Sequence, residues 1–138
     1  MGHLHHSIAT LRFYGDDLDP AEISALLGAK PTESWKKGDK LVGKSLGHIR
    51  IAKTGMWRLS ASRKEPEDLD CQIQEILGVL SQDLEVWIGL RSRYKPDIYC
   101  GIFMGSGNDG LPISADALLM MGSRGIDLNL DIYDASDD

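Results

Sequence analysis

Cysteine, phenylalanine and long apolar runs are scarce in this chain. Its 138 residues include two cysteines and two phenylalanines, and no apolar run approaches the roughly 18 residues that a transmembrane helix needs. Two isolated cysteines, Cys71 and Cys100, argue against a disulfide scaffold or a zinc site, with a redox pair as the alternative. Both fall within apolar patterns, which predicts buried thiols in a reducing compartment. No secretion signal follows the start, so a cytoplasmic protein is expected.

Histidine is scarce outside the N-terminus, which carries three of the four. Residues 1–6 are predicted to be a histidine-rich tail that is disordered or derives from cloning, because no metal-ligand spacing is present. Residues 7–134 are predicted to form one α+β domain, followed by an acidic tail at 135–138. His48 has no recognisable nucleophile near it in the sequence, so no catalytic residue, metal or cofactor is predicted.

Charge is unevenly distributed along the chain. The net charge is −6, yet ten Lys or Arg and only two acidic residues lie between Lys30 and Lys64, which leaves five basic and nineteen acidic residues elsewhere. Such asymmetry marks either a binding face or a solvated loop that an acidic neighbour balances. The acidic total does not favour nucleic-acid binding.

Capping residues and hydrophobic periodicity predict the first elements. Residues 7–14 alternate apolar and polar side chains as a strand does. Asp19 followed by Pro20 begins a short helix over about 20–27, and Gly28 suits its left-handed end.

The middle of the chain is predicted to hold a loop and a hairpin. Residues 31–46 are polar and basic with interspersed glycines, which indicates a loop. Residues 48–52 and 56–61 flank a connection that contains glycine, which predicts a β-hairpin. In that hairpin Ile49 and Ile51 would share one face with Trp57 and Leu59.

The second half has two helical segments and two strands. Residues 66–95 show a helical apolar stripe with a break near Ser81, which could cap the second part. Ser114 is expected to cap a helix that ends near Gly122. Residues 97–104 form a strand that is central or covered on both faces, and 126–133 alternate as a half-exposed antiparallel strand.

Together these elements predict an α+β, two-layer sandwich. Its mostly antiparallel sheet of about five strands carries helices on one face, in the order β-α-β-β-α(α)-β-α-β. The helical segments that begin at Leu18 and Leu111 each follow a strand and an acidic, glycine-containing turn. This leaves two alternatives, a duplicated βαβ unit in a ferredoxin-like sheet or a chance recurrence of capped helices.

The loop segment Trp35–Asp39 is the strongest candidate for ligand contact. An aromatic ring beside paired lysines in a glycine loop can stack on a base or sugar while the ammonium groups hold a phosphate. The alternative is structural, with Trp35 packed at the sheet edge and the lysines solvated. The candidate ligand-binding residues are Trp35, Lys36, Lys37, Asp39 and Arg58.

Several short segments also occur in a familiar order. These are Phe13–Ile23, Leu27–Thr32, Trp35–Asp39 and Thr54–Trp57, with residues 126–133 at the end. In this order they resemble a bacterial family catalogued as domain of unknown function 4279, over nearly the whole chain. The resemblance implies a small bacterial cytoplasmic protein and supplies no catalytic or ligand-binding residue.

Two classes of function follow. The leading hypothesis is a non-enzymatic binding or protein-interaction module, of which an immunity-type protein that neutralises a partner by surface complementarity is one form. The alternative is an enzyme or small-ligand binder for an anionic, phosphorylated molecule, using the basic loop with Trp35. No membrane partner is expected, and the oligomeric state is left open.

Overall fold

A computed structural model describes residues 2–3, 6–43, 47–62 and 68–134. Four helices and nine strands lie in these ranges. The helices are α1 (Pro20–Leu27), α2 (Leu69–Gly78), α3 (Leu84–Arg93) and α4 (Ala115–Ser123). The strands are β1 (Gly2–His3), β2 (His6–Gly15), β3 (Glu33–Trp35), β4 (Lys40–Val42), β5 (Ile49–Ile51), β6 (Gly55–Ser60), β7 (Asp97–Phe103), β8 (Asp109–Gly110) and β9 (Asp127–Tyr133).

Five strands form the main sheet, in the order β3-β6-β2-β7-β9. All neighbours are antiparallel except β7 and β9, which are parallel. The predicted α+β class and five-stranded sheet are therefore confirmed. The predicted antiparallel pairing of β9 is wrong, because α4 is a crossover that returns the chain to the same end of the sheet. Alternation of side chains cannot reveal strand direction.

The hydrophobic core lies between the sheet and the four helices. Alternate residues of β2 point into it, and Phe13 packs edge-on against Trp57 at 5.8 Å and in a stacked geometry against Trp87 at 6.1 Å between ring centroids. Both tryptophans are fully buried. Such aromatic pairs contribute about 1 kcal/mol each beyond their buried area. The helices thus cover one face of the sheet, as predicted.

Helix boundaries follow local capping chemistry. The Asp19 carboxylate accepts a hydrogen bond from Ala21 N at 3.1 Å, and α1 ends at Gly28 with a φ of 78°. Ser114 Oγ accepts from Ala117 N and begins α4, as predicted. The predicted break near residue 81 is confirmed, but Asp83 rather than Ser81 caps α3.

The predicted hairpin between residues 48–52 and 56–61 is wrong. Strand β5 pairs with β4, in the segment expected to be a loop, while β6 inserts between β2 and β3. Two backbone hydrogen bonds also hold Ala52 to this segment: Gly38 N donates to Ala52 O, and Ala52 N donates to Asp39 O. Ile49 and Ile51 are 60% and 55% exposed and share no buried face with Trp57.

Two further expectations concern the cysteines and the chain termini. Cys100 is buried as predicted, but Cys71 is exposed, so its burial was wrongly predicted. At the N-terminus, Gly2–His3 pairs with β8. Met1, Leu4, His5 and the tail at 135–138 lie outside the described residues, so the two tails remain predictions.

The two strand-helix-strand units differ in their spacing. Strands β2 and β3 run parallel on either side of β6, as in a split, ferredoxin-like unit. Strands β7 and β9 are direct neighbours around α4. A ferredoxin-like arrangement therefore holds for the first unit only.

Candidate functional site

The side of the main sheet opposite the helices, here called the open face, has no covering element in the described part of the chain. It carries a groove of about 270 Å³. Side chains from four strands contribute, and aromatic and arginine residues dominate. The lining residues are Ile8, Thr10, Arg12, Tyr14, Arg58, Tyr99, Gly101, Phe103 and Tyr133.

Strand alternation places these side chains on the open face. In β2 the residues Ala9, Leu11 and Phe13 are buried under the helices, so the intervening side chains must point to the other side. The register then sets Arg12 directly between Arg58 of β6 and Asp97 of β7.

A bidentate ion pair lies at the centre of this face. Arg12 donates from Nε to Asp97 Oδ1 at 2.9 Å and from Nη2 to Oδ2 at 2.6 Å. Asn129 Nδ2 also donates to Asp97 Oδ2 at 2.7 Å. The guanidinium lies 4.4 Å from the ring centroid of Tyr99 and 5.3 Å from that of Tyr14, within the range of cation–π attraction. The hydrogen bonds to Asp97 raise the pKa of Arg12 above its ordinary value.

Two tyrosines share one carboxylate at the edge of the groove. Asp131 Oδ2 accepts hydrogen bonds from the hydroxyls of Tyr99 at 2.5 Å and Tyr133 at 2.8 Å. These bonds lower the pKa of Asp131, and the bond to Asp131 raises the pKa of Tyr99 to about 12. The Tyr133 ring stacks on Phe103 with centroids 4.7 Å apart and planes at 7°. The aromatic wall is therefore held in one orientation.

Glycine forms the floor of the groove. Gly101 is buried in strand β7, where it is paired with Ile8 on one side and Asp131 on the other. A Cβ at this position would lie 3.3 Å from Phe103 and 4.0 Å from Tyr133. A side chain here would therefore fill the space next to the aromatic rings.

The second arginine of the groove is also paired. Arg58 donates to the carboxylate of Glu33 on the neighbouring strand β3. Its guanidinium carbon lies 6.0 Å from the ring centroid of Trp35. Both guanidiniums of the groove thus have a carboxylate partner within the chain.

The ligand-binding residues predicted from the sequence do not gather in one pocket. Trp35 is half-buried, donates from Nε1 to Thr54 O at 3.1 Å and lines a different depression of about 470 Å³ beside β5. Lys36 and Lys37 point away, to Asp19 at 4.0 Å and Asp16 at 3.3 Å. The Asp39 carboxylate accepts from the backbone of Lys36 at 2.8 Å and closes its own loop. Of the five, only Arg58 lines the groove.

Other chemistry is sparse in the described part of the chain. It contains no group of three or more His, Cys, Asp or Glu side chains that could hold a metal ion. The residues that sequence reasoning missed are Arg12, Tyr14, Tyr99 and Tyr133. Their pattern was visible as Tyr or Arg at alternate strand positions, but only the register shows that those positions adjoin.

The fold and the groove define a one-sided α+β sheet domain with an aromatic and arginine-lined open face. The chain belongs to the family described as "Domain of unknown function (DUF4279)", whose model matches residues 3–135. No curated protein and no solved structure matches the chain. None of the described helices is long and apolar enough to cross a membrane.

Proposed function

We propose that the protein is a non-enzymatic binding module that recognises a protein partner through its open face. The observation that carries this proposal is the groove of tyrosine and arginine side chains on an otherwise uncovered sheet face. Tyrosine and arginine are enriched among the residues that dominate binding energy at protein interfaces.

The shape of the groove favours a protein surface over a small molecule. Small-molecule pockets enclose most of their ligand and measure roughly 300–1,000 Å³. At about 270 Å³ this groove lies near the lower end of that range, and it is open along an exposed sheet face. A protruding side chain of a partner fits such a depression, while the surrounding face supplies the remaining contact area.

The charges around the groove indicate the chemistry of the partner. Arg12 and Arg58 are matched by Asp97 and Glu33, and Asp131 adds a further carboxylate. The whole chain is acidic, with a net charge of −6. An apolar or aromatic side chain surrounded by Lys and Arg is therefore the complementary surface, and it would be attracted at long range.

Gly101 supports the same proposal. Glycine weakens a strand interior, and it often marks a place where a ligand approaches the backbone closely. In this chain it keeps the groove open beside Phe103 and Tyr133. An immunity-type role in the cytoplasm is one form of the proposal.

The anionic-ligand alternative has less support from the geometry. Its four residues do not face a common space, and Lys36, Lys37 and Arg58 each lie near a carboxylate. It remains testable in parallel. A ligand at roughly 100 times its dissociation constant stabilises a protein by about 2.7 kcal/mol, so binding would be visible in a thermal-shift screen with phosphate, nucleotides and sugar phosphates. If the open face recognises a protein partner instead, none of these compounds should shift the melting temperature.

A pair of double variants tests the proposed function. Tyr14→Ala with Tyr133→Ala removes groove walls, whereas Val42→Ser with Ile49→Ser changes exposed side chains of the β4–β5 hairpin. Partners captured from the native host by the wild type should be retained by the hairpin variant. The groove variant should bind them at least tenfold more weakly, which is about 1.4 kcal/mol. Equal capture by both variants would place the binding surface elsewhere.

A further inference from the structure

The outer strand β9 presents an open hydrogen-bonding edge. Asp127 N donates to Pro96 O at 3.2 Å and Tyr133 O accepts from Met104 N at 3.1 Å, so the odd-numbered residues of β9 direct their backbone groups toward β7. Alternation then directs the N–H and C=O groups of Leu128, Leu130 and Ile132 away from the sheet. Within the described ranges these six groups have no backbone partner.

This edge carries none of the Lys and Pro residues that often block strand pairing, and its charged residues are Asp127 and Asp131 on the open-face side. Strand β9 has seven residues without Lys, Arg or Pro, and natural edge strands use such residues to prevent contact with other chains. Leu130 and Ile132 are 42% and 59% exposed on the helix side of the strand. The opposite edge strand, β3, has only three residues.

We propose that the occupant of this edge is a second copy of the same chain, paired antiparallel about a two-fold axis at Leu130. In this register Leu130 faces its own copy and Leu128 faces Ile132 of the other copy. Antiparallel hydrogen-bonded pairs consist of residues whose N–H and C=O both point across the junction. The three outward-facing residues meet this condition together and would form six backbone hydrogen bonds.

The side chains of β9 are self-complementary in the same register. On the open-face side Asp131 lies opposite Asn129, and Asp127 opposite Tyr133, so neither aspartate meets another. Like charges directly opposite one another would destabilise the pair. On the helix side only leucine and isoleucine meet. An isologous dimer requires such complementarity of one surface with itself.

The two-fold axis also brings other surfaces together. It runs perpendicular to the sheet, so both helix layers lie on one side and both open faces on the other. Helix α4, which contacts β9, carries the exposed leucines Leu118 and Leu119. The result is a continuous ten-stranded sheet with the two grooves on the same face.

A charge-swap experiment at position 130 tests this proposal. The wild type is expected to sediment as a dimer. Leu130→Lys and Leu130→Glu should each be monomeric, because the axis places two like charges opposite each other. An equimolar mixture of the two variants should recover a heterodimer, which requires that position 130 faces itself. The matched control Ile49→Lys, at a site 60% exposed, should remain dimeric.

Several outcomes would overturn the proposal. A wild type that is monomeric at every concentration would overturn the proposal, whether or not any variant folds. This holds even if a foreign peptide can pair with the edge. A dimeric Leu130→Lys variant would place the association elsewhere. So would a mixture of the two variants that stays monomeric while circular dichroism shows that both are folded. Because this dimer does not depend on the partner at the groove, the groove variant Tyr14→Ala, on strand β2 and away from the junction, should still dimerise.

Discussion

Gln72 offers the sharpest test of how the sheet is held where β2 runs beyond β6. Its side chain is fully buried and makes three hydrogen bonds. Nε2 donates to Ser7 O at 3.0 Å and to Ser62 O at 2.7 Å, while Oε1 accepts from Ser7 Oγ at 2.6 Å. The last backbone hydrogen bond between the two chain segments runs from Ala61 N to Ala9 O. Beyond it, the Gln72 amide bonds to Ser7 O and so takes the place of the missing strand partner.

Replacing Gln72 by alanine leaves the buried Ser7 O without a partner. Ser62 is exposed to water, and Ser7 Oγ still accepts a hydrogen bond from Asp68 N at 3.3 Å. One buried group left unsatisfied costs about 1–3 kcal/mol, so the free energy of unfolding should fall by about that amount. For a chain of this size about 4 °C is lost per kcal/mol, which gives a decrease in Tm of roughly 4–12 °C. Gln72→Leu restores volume but no hydrogen bond, and it should not recover the loss.

Urea unfolding followed by circular dichroism measures the effect. Gln74→Ala is the matched control, because Gln74 is an exposed glutamine on the same helix and should change stability by less than about 0.5 kcal/mol. Gln72→Glu would set a carboxylate against two carbonyl oxygens, which raises the pKa of that carboxyl. Its destabilisation should therefore lessen as the pH falls. A Gln72→Ala loss no larger than that of Gln74→Ala would refute this account of the sheet end.

Two further predictions concern α1 and the groove. Gly28→Ala should destabilise the protein by about 1 kcal/mol because φ is 78°, whereas Gly89→Ala in α3 should stabilise it by a similar amount. Neither added Cβ would have an atom within 4 Å, so backbone conformation alone decides the sign. Urea midpoints that move in the same direction for both variants would contradict this. The Tyr99 pKa of about 12 exceeds the ordinary value of about 10, so its stabilising contribution is complete below about pH 10 and is lost as the pH rises through about 12. Unfolding measured over this range should show a shallower alkaline loss for Tyr99→Phe, and an unchanged slope would contradict the assignment.

Local chemistry made part of the fold predictable from the sequence. The boundaries of α1 follow from Asp19, Pro20 and Gly28, and those of α4 from Ser114, because caps act within one helical turn. The split between α2 and α3 was visible for the same reason. None of these inferences depends on which element packs against which.

Strand partners were less predictable, because pairing is decided over long distances in the chain. The β5 strand alternates regularly, yet Ile49 and Ile51 face solvent and pair with residues 40–42. The groove was missed for a related reason. Arg12 and Tyr99 are unremarkable in their own strands, and only the register places the guanidinium over the ring.

Side-chain footprinting can locate the binding surface on the open face. Hydroxyl radicals would be applied to the protein with and without its captured partner, and the oxidation of each aromatic residue measured by mass spectrometry. We expect protection of Tyr14, Phe103 and Tyr133, with Trp35 unchanged. Protection of Trp35 while those three groove residues stay reactive would contradict the account and place binding on the basic loop.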